Sequence, residues 1–113
     1  MVTDRVFGKL KIVRAFRKRH LAFLETMVDY DLLLEIGYHQ EEGRPLTIKQ
    51  LHLLGICSVP TLQRRLRHLR EAGAVLHERM SEDARAVQVT LPARLLKIYD
   101  RYRETIRATF MDA

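Results

Sequence analysis

Apolar residues recur at helical spacing over most of the chain and switch to alternation in one short stretch. From about Asp4 to Leu24 they fall at Val6, Leu10, Val13 or Phe16, then His20, Phe23 and Leu24. These three- and four-residue steps predict an amphipathic helix. Glu25-Thr26-Met27 reads as a break, and Asp29 as the cap of a second helix through about His39. Leu32, Leu33, Leu34 and Ile36 cover more than one face, which predicts a helix packed in the middle of the domain. Gln40 to Pro45, polar and then interrupted by Gly43 and Pro45, reads as a loop.

The stretch from Thr47 to Leu91 has the strongest local signals. Thr47-Ile48-Lys49-Gln50 matches a capping box, in which the threonine oxygen accepts from the third helical N–H and the glutamine reaches back. Leu51, Leu54 and then Ile56 are expected on the buried side, and Gly55 stands where the helix stops, a place for a left-handed residue. Ser58 is the natural cap of the next helix, with Pro60 in its first turn, where a missing N–H costs little. Leu62, Leu66 and Leu69 share one arc of that helix; Pro60, Arg64, Arg67 and Glu71 point the other way, with Thr61, Gln63 and His68 on the flanks. Gly73 ends it. Two helices joined by a short glycine-containing turn form a helix-turn-helix. Ala74–Met80 and Arg85–Leu91 then alternate, with Val87, Val89 and Leu91 on one face, which predicts a half-buried hairpin with Ser81-Glu82-Asp83-Ala84 at its tip.

Pro92 opens a final helix whose apolar stripe is Leu95, Tyr99, Tyr102, Ile106 and Phe110. The expected fold is mainly α with a small β-hairpin wing (α+β). It is a single winged helix-turn-helix domain over residues 1–113, in which 47–91 is the reading module. The helices at 4–24 and 92–111 are expected to pair two copies through Leu10, Val13, Phe16, Leu95, Tyr99, Tyr102, Ile106 and Phe110. A leading helix with both an apolar stripe and a basic face does not easily bury both in so small a domain.

Composition refines this picture through the placement of charge. The chain has 113 residues and a net charge of +6, which suits one core and a polyanionic partner. Residues 1–20 hold seven basic side chains against Asp4, a net of +6. Residues 21–57 are net −4, and residues 58–72, with four arginines against Glu71, are net +3. The one cysteine, Cys57, allows no intrachain disulfide and fits a reducing compartment. There is no apolar run long enough to span a membrane and no apolar segment after the basic start of the kind a signal peptide has. A cytoplasmic location and no membrane partner are expected.

A helix fits the major groove of B-DNA, and its first residues reach base edges most easily. Thr61, Gln63 and Arg64 are therefore the candidate readers: glutamine matches an adenine edge, arginine a guanine edge. Ser58, Arg67 and His68 are placed for the backbone, where contacts position without reading sequence, and Pro60 belongs to the same DNA-facing set. Taken alone, Gln63-Arg64-Arg65 is equally a solvated face; the attached turn and hairpin favour contact.

The run from Gly73 to Leu91 resembles the wing of the MarR family of bacterial transcription regulators. Gly73, Val75, Asp83, Arg85, Val87, Val89 and Leu91 match that pattern without a gap. The upstream helix-turn-helix and the flanking helices fit too, so the resemblance covers nearly the whole chain. It implies a homodimer held by the terminal helices, a recognition helix at 58–72 in the major groove and a wing at 81–85 in the minor groove. By residue match Arg85 is the minor-groove arginine, and Asp83 holds the wing or orients Arg85. It implies a bacterial protein, associated with the nucleoid when bound. The chain departs from the family at Pro92-Ala93-Arg94 and at His77, where a basic residue is common. Its short last helix leaves little room for an effector pocket, so no small-molecule effector is assigned.

Other chemistry is weakly signalled. Cys57 reads as a small buried thiol rather than a redox sensor. The five histidines lack close metal-ligand spacing, and no phosphate loop, nucleophile elbow or paired-carboxylate signature occurs, so neither a metal, a cofactor nor catalysis is expected. The competing reading is a winged helix used for protein interaction or assembly without specific DNA readout. The basic helix face counts against it.

Overall fold

The helical spacing and the short alternating stretch resolve, in a computed structural model that describes residues 5–80 and 85–111, into the order α1 Val6–His20, α2 Met27–Glu41, α3 Ile48–Leu53, α4 Val59–Glu71, β1 Leu76–Arg79, β2 Val87–Thr90 and α5 Ala93–Phe110. No described helix is long and apolar enough to cross a membrane. Phe23–Ala93 forms one compact unit; α1 and α5 from Arg94 onward, with the residues flanking them, form another.

In the larger unit, α2 packs against α4 and β2, and α3 against β2. Its core is aliphatic: Leu32, Leu33, Ile36, Leu51, Leu62, Leu69, Val75 and Val89 are all essentially inaccessible. The start of α2 differs from the expectation. Thr26, not Asp29, is the cap. The Thr26 hydroxyl accepts from the Asp29 N–H at 3.2 Å, and the Asp29 carboxylate accepts from the N–H groups of Glu25 (2.8 Å) and Thr26 (3.1 Å). A capping box formed by Thr and Asp looks, from Asp alone, like a simple cap three residues too late. The other end of α2 runs past His39 through Gln40, which was expected in the loop. Its amide accepts from the Leu91 N–H at 2.7 Å and donates to the Leu91 carbonyl at 3.3 Å, filling the place of a neighbouring strand.

α3 starts at the expected capping box, with Gln50 N–H on Thr47 Oγ1 at 3.1 Å and Thr47 N–H on Gln50 Oε1 at 2.9 Å. It is one short helix whose buried residue is Leu51; Leu54, expected on the buried side, is exposed. Leu54 is the C-cap residue, just past the helix proper. Gly55 (φ +68°) and Gly73 (φ +74°) turn the chain after α3 and α4 in the left-handed region, where a side chain is strained. β1 and β2 pair antiparallel from Leu76↔Thr90 to Arg79↔Val87. The segment before α3 adds to this ribbon: the Val89 N–H donates to the Leu46 carbonyl at 2.8 Å, and Thr47 bridges Gln88.

In the smaller unit, Phe16 stacks on Tyr102 (centroids 5.4 Å apart), and Lys9 Nζ sits 5.6 Å over the ring of Phe110. Residues rising along α1 thus meet residues falling along α5, so the two helices run antiparallel. Helix α1 ends at His20, short of the expected Leu24. The apolar spacing runs on because Leu21 and Leu24 are buried in the non-helical link, and periodicity records burial rather than backbone conformation. The expected start at Asp4 lies outside the described residues.

Candidate nucleic-acid interface

The second helix of the turn is ordered by its own first residues. Ser58 Oγ accepts from the Thr61 N–H at 3.4 Å and donates to Thr61 Oγ1 at 3.0 Å, and Pro60 occupies the first turn. Leu62, Leu66 and Leu69 fix which way α4 faces by burying one arc. Gln63, Arg64 and Arg67 consequently stand exposed on the outer side, as do Ser58 and Pro60, while Thr61 is half-buried.

Two neighbouring side chains of α4 make contacts within the fold. Arg65, read with Gln63 and Arg64 as part of one outer run, turns inward. Its Nε donates to Asp29 Oδ1 at 2.8 Å, and its Nη2 to Asp29 Oδ2 at 2.7 Å and Glu25 Oε1 at 3.1 Å. His68 sits beside it, with Nε2 3.1 Å from the Phe23 carbonyl and 3.4 Å from Glu25 Oε1. Burial alone would raise the Asp29 carboxyl pKa, but the Arg65 hydrogen bond, then the Glu25 and Thr26 N–H groups, bring it below the usual value. The Asp29 and Glu25 carboxylates raise the Arg65 guanidinium in turn. Glu25, Asp29 and His68 bring potential metal ligands within 4.8 Å of one another, a grouping that spacing in the sequence did not reveal. Arg65 donates to both carboxylates, so a cation is already supplied.

α3 and the wing strands extend the cationic surface. Thr47, Lys49, His52, Arg85 and Val87 are among the residues lining an open concavity of about 720 Å³ between α3 and β2. A second, of about 420 Å³, lies between α3, α4 and β1 and is lined by His52, Gln63, Arg67, Arg70 and His77 among others. Ile48 and His52 border both. Lys49, His52 and Arg70 were not among the expected contacts. The signal for Arg70 was present: it continues the Gln63 and Arg67 side of α4 at steps of four and three. Arg85 is exposed at the start of the strand segment, and Asp83 lies outside the described residues. Cys57 is half-buried rather than buried.

The residues expected to pair two copies differ in what they leave uncovered. Val13 and Leu95 are buried within the single chain, and Phe16, Tyr99 and Tyr102 are half-buried. Leu10 (47% exposed), Ile106 (38%) and Phe110 (38%) remain open, joined by Phe7, Ile12 and Met111.

No protein-family model matches the sequence, and no curated protein does. Solved structures match over nearly the whole chain. A MepR mutant from a multidrug-resistant S. aureus clinical isolate superposes with a TM-score of 0.67 at 14% identity, over 98% of this chain and 80% of that one. The overoxidized AbfR bound to DNA gives 0.58 at 24% identity, over 95% and 79%. A mutant MarR from E. coli complexed with operator DNA gives 0.59 at 19% identity, over 88% and 68%. The helix-turn-helix, the two-stranded wing and the flanking helices together make this a MarR-type winged-helix fold.

Proposed function

We propose that this protein is a sequence-specific double-stranded DNA-binding transcription regulator that acts as a homodimer. The observation that carries the reading is the outer face of α4: Gln63, Arg64 and Arg67 exposed, with Lys49 and Arg85 bordering the adjacent concavity. A helix presenting such residues enters the major groove, with Gln63 and Arg64 against base edges and Ser58, Pro60 and Arg67 toward the backbone. Thr61, tied to Ser58, orders the first turn and borders the bases. Arg85, with Asp83 as the resemblance implies, serves the minor groove, where a guanidinium responds to groove width and potential. His68 supports the helix from behind through Phe23. AbfR and MarR, which have this fold, have been solved with DNA, and that supports the same partner here.

Pairing places two recognition helices on a near-palindromic duplex. The uncovered apolar residues of α1 and α5 supply the contact surface, and such patches mark interaction sites. A regulator of this kind works in the bacterial cytoplasm, on the nucleoid. Selection of bound sequences from random duplex DNA tests the reading directly. Two related half-sites at a fixed spacing are expected. Absence of duplex binding at low salt would sink the proposal.

A further inference from the structure

The ladder between β1 and β2 ends at Leu76↔Thr90. Leu91, one residue on, is buried and still has an N–H and a carbonyl to satisfy. Both go to one side chain. The Leu91 N–H donates to Gln40 Oε1 at 2.7 Å, and Gln40 Nε2 donates to the Leu91 carbonyl at 3.3 Å. A primary amide suits this place because it offers an acceptor and donors together on one neutral group. The seat is fitted in shape as well. Gly37 lies one turn earlier on the same side of α2, and a Cβ there would meet Leu91 Cδ1 at 3.2 Å.

This seat is the root of the wing. Toward the tip, the Met80 N–H reaches the Ala86 carbonyl at 3.0 Å, and Arg85 stands exposed. The run of extended chain from Arg85 to Leu91 spans roughly 20 Å at a strand's rise per residue. Over that length a tilt of about 10° at the root carries the tip through about 3 Å, more than a hydrogen bond tolerates. The contacts of Leu46 and Thr47 hold Val89 and Gln88 and give the wing one fixed point. The Leu91 seat gives a second. One point leaves a pivot; two set a direction.

We propose that Gln40 is a positioning residue for DNA binding: its amide, seating Leu91 against Gly37, sets the direction of the wing and so where Arg85 meets the duplex. The inference rests on the DNA-binding reading of the chain.

The test uses Q40M in the full chain, a change that keeps the length of the side chain and loses both hydrogen bonds. Residual dipolar couplings of the β1 and β2 N–H groups, set against those of α4, read the wing's direction without DNA. Duplex affinity is then compared for Q40M, R85A, R64A and the double variants Q40M/R85A and Q40M/R64A. The expected result is a turned wing and a loss of affinity in Q40M that vanishes where Arg85 is already absent. Beside R64A the same fold-loss should persist to within about twofold. An unchanged wing direction overturns the proposal, as does an unchanged affinity. A loss equal with and without Arg85 also overturns it, since Gln40 would then only stabilise the fold. If Q40M does not fold, Q40N, neutral and one methylene too short, goes through the same comparison. If wild type binds no duplex, the DNA reading fails while the dipolar couplings still decide whether Gln40 sets the wing.

Discussion

The guanidinium of Arg65 closes on the carboxylate of Asp29 with two parallel hydrogen bonds, 2.8 and 2.7 Å long. Asp29 is fully buried and also accepts from two backbone N–H groups at the start of α2. One carboxylate therefore closes the end of α2 and grips the middle of α4. Arg65 is drawn off the outer face, and Arg64 and Arg67 are left exposed there. Substituting Arg65 by Met should cost about 3 kcal/mol, because the buried charge keeps only backbone partners. Chemical denaturation measures this; a loss below about 0.5 kcal/mol would mean that the pair adds little.

The same carboxylate sets an acid limit. Its folded pKa lies below the ordinary 3.8, so its stabilisation is present above that value and is lost as pH falls through the folded one. D29N should be less stable near neutrality and show a flatter decline below pH 3.8. His77 acts in the same direction in a higher window. Its folded pKa is below the ordinary 6.5, so stability falls as pH drops beneath that value, and H77Q should remove this component. Urea unfolding at a series of pH values reads both; parallel curves for wild type and variants would contradict the assignment.

Gly55 offers a test confined to the backbone. A Cβ there meets nothing within 4 Å, yet φ is +68°. G55A should therefore lose about 1–2 kcal/mol through left-handed strain alone, seen as a lower melting temperature with unchanged circular dichroism. A neutral result would show that the turn relaxes.

Arg64 and Arg85 should separate reading from holding. R64A is expected to reduce discrimination at one base pair by about 1–3 kcal/mol. R85A should weaken binding across sequences with little change in base preference. Binding selections with each variant distinguish the two; identical sequence profiles for R64A and wild type would remove Arg64 from the readers.

Ile106 and Phe110 stay partly uncovered at the end of α5. I106E combined with F110E should yield monomers in analytical ultracentrifugation and reduce operator affinity without unfolding the Phe23–Ala93 unit. A dimer that survives both changes would place the interface elsewhere.

The sequence disclosed what is local. Thr47 with Gln50, Ser58 with Pro60, Gly55, Gly73 and the Leu62-Leu66-Leu69 arc all act within a few residues, so spacing alone reveals them. Asp29 and Arg65 are 36 residues apart, and Gln40 and Leu91 are 51 apart. No periodicity connects such pairs, and each partner has a plausible local role that hides the distant one. Asp29 looked like a cap, Arg65 like one member of an exposed run and Gln40 like the start of a loop. Exposure of Leu54 was hidden for a related reason: an apolar residue in register says nothing of where its helix ends.

The bond from Val89 N–H to the Leu46 carbonyl, with the bridge between Thr47 and Gln88, ties the wing to the segment that caps α3 through main-chain atoms. Any residue other than proline at position 89 supplies that N–H, and every residue at position 46 supplies that carbonyl. The exposed side chains proposed to choose a DNA sequence are therefore free to diverge while the tie between wing and turn persists. A change in the outer side chains of α4 need not disturb the angle between wing and turn.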